Sequence, residues 1–210
     1  MNGLILWGAG GHGKMVLDCA MLSGCFSPIS FLDDKPGDWF CGHQVLGGRE
    51  QLLCAAQLGF SNFLIAIGDN RVRAQCYKIC REHSLRPVSV IHPSAIISPS
   101  AILSPGTVVM PRAVINAGVM IGQNCIINTG AVVEHDCRIG DHVHISPGAV
   151  LGGAVQVRNY VHIGIGAMAL PGADIAEGAV VGAGALVLRT VAAGTTVIGV
   201  PAKVLSIGQT

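Results

Sequence analysis

Hydrophobic residues recur at every sixth position through the second part of the chain. From Ile91 to Val187, sixteen of the seventeen positions at this interval hold Ile, Leu or Val, and Ala169 is the exception. The positions two residues earlier, from Ala95 to Ala185, hold only Ala, Val, Cys or Thr. Neither a helix, which repeats about every 3.6 residues, nor a strand, which repeats about every 2, produces a period of six.

This period predicts short strands joined by sharp turns. The two hydrophobic positions of a repeat point to the same side, because successive side chains of a strand alternate. Gly, Asn, Asp and Pro fill the intervening positions, where the chain turns. A unit of six residues cannot bury its apolar side alone, so the units must stack into a solenoid. Since three repeats closing a triangular coil use 18 residues, residues 91–187 predict a little over five coils.

The first ninety residues predict a different fold, a small parallel α/β domain. Strand-like segments at residues 4–7, 29–32 and 63–67 alternate with helical patterns. Such alternation of strand and helix is typical of a parallel sheet covered by helices. We therefore expect two domains, residues 1–90 and residues 91–210.

A glycine-rich loop follows the first predicted strand, with the sequence GAGGHG at residues 8–13. Backbone amides at the start of the following helix can hold phosphate there. Asp33 and Asp34 close the second strand about 20 residues later, where a carboxylate can reach ribose hydroxyls. Three interpretations are open: a site for one nucleoside diphosphate, an NAD site, or tight turns without a ligand. The first is favoured, since ninety residues hold only half of a dinucleotide-binding fold.

Composition excludes several classes of protein. Half of the residues are hydrophobic and 12% are charged, which excludes intrinsic disorder. The formal charge of +1 gives no electrostatic support for binding nucleic acid or an anionic membrane. No apolar stretch of about 18 residues is free of glycine or charge, so no membrane span is expected. The N-terminus lacks the basic segment of a signal peptide, which predicts a cytoplasmic protein.

The cysteines do not indicate a disulfide scaffold or a metal site. The eight cysteines include no C-x-x-C pair, and Cys76 and Cys80 are four residues apart. We therefore interpret all eight as small buried hydrophobic residues.

The hexads resemble a known repeat. Residues 121–126 (IGQNCI) and 139–144 (IGDHVH) match the hexapeptide motif of the left-handed β-helix acyltransferases. The left hand is implied by this resemblance alone, because crossover rules favour a right hand. The resemblance also implies a homotrimer that binds acetyl-CoA between neighbouring prisms. The cysteine spacing predicts that no metal is bound. Residues 199–203 (GVPAK) resemble the segment that completes the coenzyme A site in these enzymes.

The whole chain resembles the NeuD/PglD-type sugar acetyltransferases of the sialic-acid and bacillosamine pathways. Residues 10–13, 31–34 and 65–68, followed by uninterrupted hexads, carry this resemblance. It implies acetyl-CoA-dependent N-acetylation of a UDP-4-amino-4,6-dideoxy-N-acetylglucosamine-type substrate, in bacterial cell-surface glycan biosynthesis. The alternatives are O-acetylation of sialic acid, a non-catalytic nucleotide-sugar scaffold and an NAD-dependent enzyme.

His135 has the surroundings of a general base. It lies two residues after the inward Val133, in a turn between Glu134 and Asp136. A carboxylate that accepts a hydrogen bond from one imidazole nitrogen fixes the tautomer and raises the basicity of the other nitrogen. The resemblance implies that His135 is the general base and that Asp136 tunes it.

The resemblance also implies two sets of binding residues. The residues expected to bind the nucleotide sugar are Gly10, Gly11, His12, Asp33, Asp34 and Gly68. The residues expected to bind acetyl-CoA are His144, Gly153 and Ile165.

Two further pairs of residues follow from the hexad register. Cys125 and Cys137 occupy inward positions, which argues against an acyl-cysteine intermediate. His144 and His162 are 18 residues apart and are expected to stack on one outward face. We expect His162 to lie on the solvated exterior.

Overall fold

The computed structural model describes residues 2–35 and 37–205. Its first part is an α/β layer whose hydrophobic strands are covered by helices. The elements are β1 (Gly3–Trp7), α1 (Gly11–Ser23), β2 (Ile29–Leu32), β3 (Trp39–Phe40), β4 (His43–Gln44), a 3-10 helix (Arg49–Gln51), α2 (Leu52–Gln57), β5 (Phe60–Ile65), α3 (Asn70–Glu82) and β6 (Arg86–Pro87).

Four strands of this part form a parallel sheet in the order β2-β1-β5-β6, and β3 and β4 form a separate antiparallel hairpin. The predicted strands and helices are confirmed in kind, but β5 begins earlier than predicted and ends two residues sooner, at Ile65. Its last predicted residues, Ala66 and Ile67, already belong to the loop that leads to Gly68. The sequence pattern did not predict α2 or the β3–β4 hairpin.

The second part is a parallel β-helix of short strands. The strands are β7 (Val90–Ile91), β8 (Ile96–Ile97), β9 (Ile102–Leu103), β10 (Val108–Val109), β11 (Val114–Ile115), β12 (Met120–Ile121), β13 (Ile126–Ile127), β14 (Val132–Val133), β15 (Arg138–Ile139), β16 (His144–Ile145), β17 (Val150–Leu151), β18 (Gln156–Val157), β19 (His162–Ile163), β20 (Met168–Ala169), β21 (Asp174–Ile175), β22 (Val180–Val181), β23 (Leu186–Val187), β24 (Thr190–Val191), β25 (Thr196–Ile198) and β26 (Lys203–Val204).

Three sheets form the faces of the prism. Face A contains β7, β10, β13, β16, β19, β22 and β25, with β26 antiparallel at its end; face B runs from β8 to β23 and face C from β9 to β24, each at every third strand. We name the corners by the faces that they join, AB, BC and CA. From β7 to β20, each strand pairs with the strand 18 residues later, as Val133 does with Leu151.

The solenoid is longer than the hexad count predicts. Strands β7 to β24 make six coils instead of a little over five. The strict period ends at Val187, and β24 follows after a shorter turn, so that Asp174 pairs with Thr190 only 16 residues later. The last coil tolerates this shortening because Val191 still points inward and is buried.

The inward stripes form the core of the prism, as predicted. Residues such as Ile145, Cys137 and Val143 are fully buried there. Each buried side chain of this size contributes roughly 1.5–3 kcal/mol relative to its exposed state. The interpretation of all cysteines as buried is wrong for three exposed ones: Cys25 lies in the loop after α1, Cys41 lies in the turn between β3 and β4, and Cys54 lies on the solvent side of α2.

The α/β layer packs on face A. Outward residues of its first strands, Val90, Val108 and Ile126, are buried against α1 residues that include Val16 and Cys19. This contact places the carboxyl ends of the parallel strands above the middle coils of the β-helix. The predicted domain boundary near residue 90 stays a prediction, and residues 206–210 of the predicted second domain lie outside the described residues. Within residues 2–35 and 37–205, no helix has the length and apolar character needed to cross a membrane.

Candidate functional site

His135 and Asp136 form an exposed pair at corner BC, in the turn between β14 and β15. Nδ1 of His135 lies 2.9 Å from Oδ2 of Asp136, and the two side chains are 63% and 67% exposed. Since the carboxylate can only accept, Nδ1 carries the proton and Nε2 presents its lone pair. The hydrogen bond to Asp136, together with the negative charge nearby, raises the pKa of His135 above its ordinary value.

Gly153 lies directly against the free nitrogen of this pair. It occupies the same corner one coil later, where Ala154 donates its backbone N–H to the His135 carbonyl at 2.8 Å. A Cβ at position 153 would lie 2.6 Å from Nε2 of His135. The absence of a side chain at this position therefore keeps Nε2 accessible.

The six residues predicted to bind the nucleotide sugar come together in one cavity. A space of about 440 Å³ at the carboxyl ends of β1, β2 and β5 is lined by Gly10, Gly11, His12, Asp33, Asp34 and Gly68. Lys35, which the sequence did not single out, lines the same space. The predicted grouping of these residues is therefore observed, although their roles stay a prediction.

Two of these side chains have constrained surroundings. Asp33 accepts hydrogen bonds from the backbone N–H of Ala9 at 2.7 Å and of Lys35 at 2.8 Å, which ties the end of β2 to the glycine-rich loop. His12 has a buried Nε2 that finds no hydrogen-bond partner among the described residues. Burial, assisted by the charge of Arg73, lowers the pKa of His12 to about 4, so its ring is neutral.

A second cavity, of about 580 Å³, lies between the start of α3 and face A. Gly68 lines both cavities, and His144, His162, Tyr160 and Arg71 also line the second one. Gly68 therefore lies at the border of both spaces.

His144 is buried and both of its ring nitrogens have partners. Nδ1 lies 3.3 Å from the Gly68 carbonyl, and Nε2 lies 3.1 Å from Nδ2 of Asn128. Burial, with contributions from His162, Arg73 and His12, lowers the pKa of His144 to about 3. The hexad register correctly predicted that His144 and His162 lie one above the other, and their ring centroids are 4.8 Å apart.

The prediction that His162 lies on the solvated exterior is wrong. Its ring is half-buried, its Nε2 lies 3.2 Å from the Ser146 hydroxyl, and burial lowers its pKa. The hexad register correctly gives its outward direction, but the start of α3 covers this part of face A. The sequence pattern of the β-helix alone could not show that cover.

The three residues predicted to bind acetyl-CoA do not lie close together within a single chain. Gly153 lies at corner BC beside His135, whereas His144 lies on face A and Ile165 lies at corner AB, where its side chain is 63% exposed. The nucleotide cavity also lies above face A. The His135 imidazole therefore lies at corner BC, whereas both cavities lie above face A of the same prism.

The structure adds one buried residue that the sequence analysis missed. Arg73 is fully buried between α3 and corner CA, with Asn70 beside it. The available signal was its position: Arg73 shares the spacing of Cys76, Tyr77 and Cys80, the other residues on the buried side of α3. A charged residue within such a buried stripe indicates a specific polar contact.

The inward cysteines have the burial that the hexad register predicts. Burial raises the pKa of the Cys125 thiol to about 12 and also raises that of Cys137. Both thiols stay protonated near neutral pH, and neither is positioned as a nucleophile.

Two family models match the chain. The PglD N-terminal domain matches residues 3–80, and the bacterial transferase hexapeptide (six repeats) matches residues 118–153. These matches and the observed topology confirm the predicted order, an α/β part followed by a β-helix.

Several solved structures are similar over nearly the whole chain. PerB from Caulobacter crescentus, in complex with CoA and GDP-perosamine, is 39% identical with a TM-score of 0.94, over 98% of each chain. The acetyltransferase domain of PglB from Neisseria gonorrhoeae, in complex with acetyl coenzyme A, is 39% identical with a TM-score of 0.93, over 98% of this chain and 100% of that chain. WeeI from Acinetobacter baumannii is 27% identical with a TM-score of 0.89, over 98% of this chain and 100% of that chain.

An NMR titration of the imidazole resonances should distinguish the exposed His135 from the buried His144 by their pKa values. We expect His135 to titrate above its ordinary pKa of about 6.5 and His144 to stay neutral through the range in which histidines usually titrate. Asp136→Asn should lower the pKa of His135, because the carboxylate that stabilises the imidazolium is gone, and should leave His144 unchanged. An unchanged His135 titration in this variant would contradict the role of the hydrogen bond.

Proposed function

Because the chain belongs to the hexapeptide-repeat sugar acetyltransferases, we propose that it transfers the acetyl group of acetyl-CoA to the amine of a nucleotide-linked amino sugar. The observation that carries this proposal is the exposed His135–Asp136 pair, which leaves Nε2 free above Gly153. The UDP-linked sugar expected from the sequence and the GDP-perosamine in the PerB complex are both nucleotide-linked amino sugars.

In the proposed reaction the sugar amine attacks the carbonyl carbon of the thioester directly. As the C–N bond forms, Nε2 of His135 takes the proton that the nitrogen loses, and Asp136 stabilises the resulting imidazolium. The C–S bond then breaks, and the departing sulfur receives that proton, which gives free coenzyme A and an amide. The protonated and therefore unreactive state of Cys125 and Cys137 supports this direct route over an acyl-enzyme.

We assign the two ligands to the two sides of the site. The nucleotide binds in the cavity of the glycine-rich loop, where the amides at the start of α1 face its phosphates and Asp33 and Asp34 border its ribose. His144, Gly153 and Ile165 border acetyl-CoA. Because both nitrogens of His144 already have partners, its contact with acetyl-CoA is through the edge of the ring that lines the second cavity.

We further propose that the active unit is a homotrimer, and the outer side of face B supports this. Its outward positions on all six strands are apolar, namely Ile96, Val114, Val132, Val150, Met168 and Leu186. Face C changes instead to Arg138, Gln156 and Asp174 along its length. Monomers rarely leave such a continuous apolar surface in water.

A threefold arrangement around face B would complete the site. If each face B turns toward a common axis, corner BC of one subunit meets corner AB of the next. His135 and Gly153 of one subunit then approach Ile165, His144 and the cavities above face A of its neighbour. This arrangement accounts for the separation of the predicted site residues in one chain.

The proposed reaction is tested by measuring thiol release from acetyl-CoA with a panel of acceptors. The panel contains UDP-4-amino-4,6-dideoxy-N-acetylglucosamine, GDP-perosamine, free sialic acid and CMP-sialic acid. We expect thiol release with one of the two amino sugar nucleotides. The His135→Ala variant should lose this activity, because it lacks the general base. Thiol release only with a sialic acid would show that the enzyme is an O-acetyltransferase. No thiol release with any of the four acceptors would contradict the proposal.

Sharing of the site between subunits is tested by mixing two inactive variants. His135→Ala lacks the base, and Gly11→Asp places a carboxylate in the phosphate cavity at a position where an added Cβ meets no atom within 4 Å. An acid at the start of α1 favours the helix, so this variant should fold. Unfolded and refolded together in equal amounts, they should recover about a quarter of wild-type activity, because each site needs one of each in a fixed order. No recovery from correctly assembled trimers would place the whole site in one chain.

Gly153→Ala tests the access to Nε2 of His135. The added Cβ would displace the imidazole, and we expect kcat/KM to fall by up to about 100-fold. The melting temperature should stay unchanged, since the crowded atoms belong to an exposed and movable side chain. Ala154→Ser, a change of one atom at the exposed neighbouring position, serves as the control. Equal kcat/KM for both variants would show that Gly153 does not define the position of the base.

A further inference from the structure

Arg73 is a buried cation without an anionic partner among the described residues. Its side chain is fully buried, and no carboxylate of residues 2–35 and 37–205 lies within ion-pair distance of it. An isolated charge in such a place is strongly destabilising unless dipoles replace its water. Burial lowers the pKa of Arg73 to about 10, so it keeps its charge near neutral pH.

Backbone carbonyls from three separate segments replace the missing water. The acceptors are the carbonyls of Ile67 at 3.2 Å, Gly68 at 3.0 Å, Asn124 at 3.0 Å, His142 at 2.9 Å and Val143 at 3.3 Å, and Oδ1 of Asn70 at 2.8 Å. The planar guanidinium has five N–H donors in a fixed geometry, and a lysine could not satisfy all of these acceptors. Arg73 therefore ties the Gly68 loop of the α/β part to corner CA of the β-helix.

One of these carbonyls also determines the state of His144. The Gly68 carbonyl accepts from Nη1 of Arg73 and lies 3.3 Å from Nδ1 of His144. A carbonyl can only accept, so Nδ1 of His144 carries the proton. On the other side of the ring, Asn128 uses Oδ1 to accept from the backbone N–H of Thr129 at 2.8 Å, which turns its Nδ2 toward Nε2 of His144. Both contacts require the same neutral tautomer.

We infer that Arg73 is a positioning residue, which holds the Gly68 carbonyl where it fixes the orientation and the Nδ1–H tautomer of His144. This inference rests on the proposed function, in which His144 borders acetyl-CoA beside the transferred group. The charge of Arg73 acts in the same direction, because it disfavours a second positive charge on His144, His12 or His162. Arg73 does not touch either ligand in this scheme and acts through Gly68.

The test compares Arg73→Lys with Arg81→Lys in the full-length protein. Arg81 lies in the last turn of the same helix and is exposed, so its replacement controls for the loss of a guanidinium on α3. The nitrogen shifts of His144 in protein labelled at histidine report which ring nitrogen carries the proton, without any substrate. We expect wild type and Arg81→Lys to show only the Nδ1–H form, and Arg73→Lys to populate the Nε2–H form.

Kinetics gives the second readout. In Arg73→Lys we expect kcat/KM for acetyl-CoA to fall by up to about 100-fold, since a misplaced contact near the reacting group lowers the rate. If this variant does not fold, Asn70→Ala removes the single side-chain acceptor of Arg73 and should shift the tautomer in the same direction. A folded Arg73→Lys variant with unchanged His144 shifts would overturn the inference. A changed tautomer in a protein that transfers no acetyl group would instead overturn only the proposed function.

Discussion

Burial of the two inward stripes holds the coils of the β-helix together and fixes their register. A strand of two residues has too little surface to be stable alone, and here each strand inside the prism pairs with equivalent strands one coil before and one coil after it. The register is strict, because a shift by one residue would turn every inward side chain to the outside. Each turn residue is therefore fixed at a defined corner, which is how Gly153 comes to lie against His135.

The same regularity separates the chemistry into two parts. The inward stripes place His135 and Asp136 in the turn at corner BC, while the apolar outward residues Val90 and Val108 hold the α/β part on face A. Neither location can change without breaking the packing that creates it. The association of identical chains, for which the apolar face B is suited, would bring the two parts together without any insertion in the prism.

Burial divides the histidines into two chemical types. His135 is exposed and bonded to a carboxylate, so its charged form is stabilised and its pKa is raised. His12 and His144 are enclosed near the buried charge of Arg73, so their charged forms are disfavoured and their pKa values fall to about 4 and about 3. One residue type thus supplies both a base that can take up a proton and neutral rings that shape a cavity wall.

Features that repeat, or that follow one another along the chain, could be predicted from the amino-acid sequence alone. The period of six residues specified the β-helix and the direction of each side chain, and the order of strand, glycine-rich loop and helix specified the α/β part. The pairing of His135 with Asp136 could be predicted because the two residues are neighbours in the sequence. The cover over face A, the half-buried position of His162 and the contacts that link Arg73 through Gly68 to His144 arise only when the two parts of the chain pack together. The contacts of Arg73 with His142 and of Gly68 with His144 join residues 69 and 76 positions apart, so the sequence pattern could place Arg73 on the buried side of α3 but could not show which residues it meets.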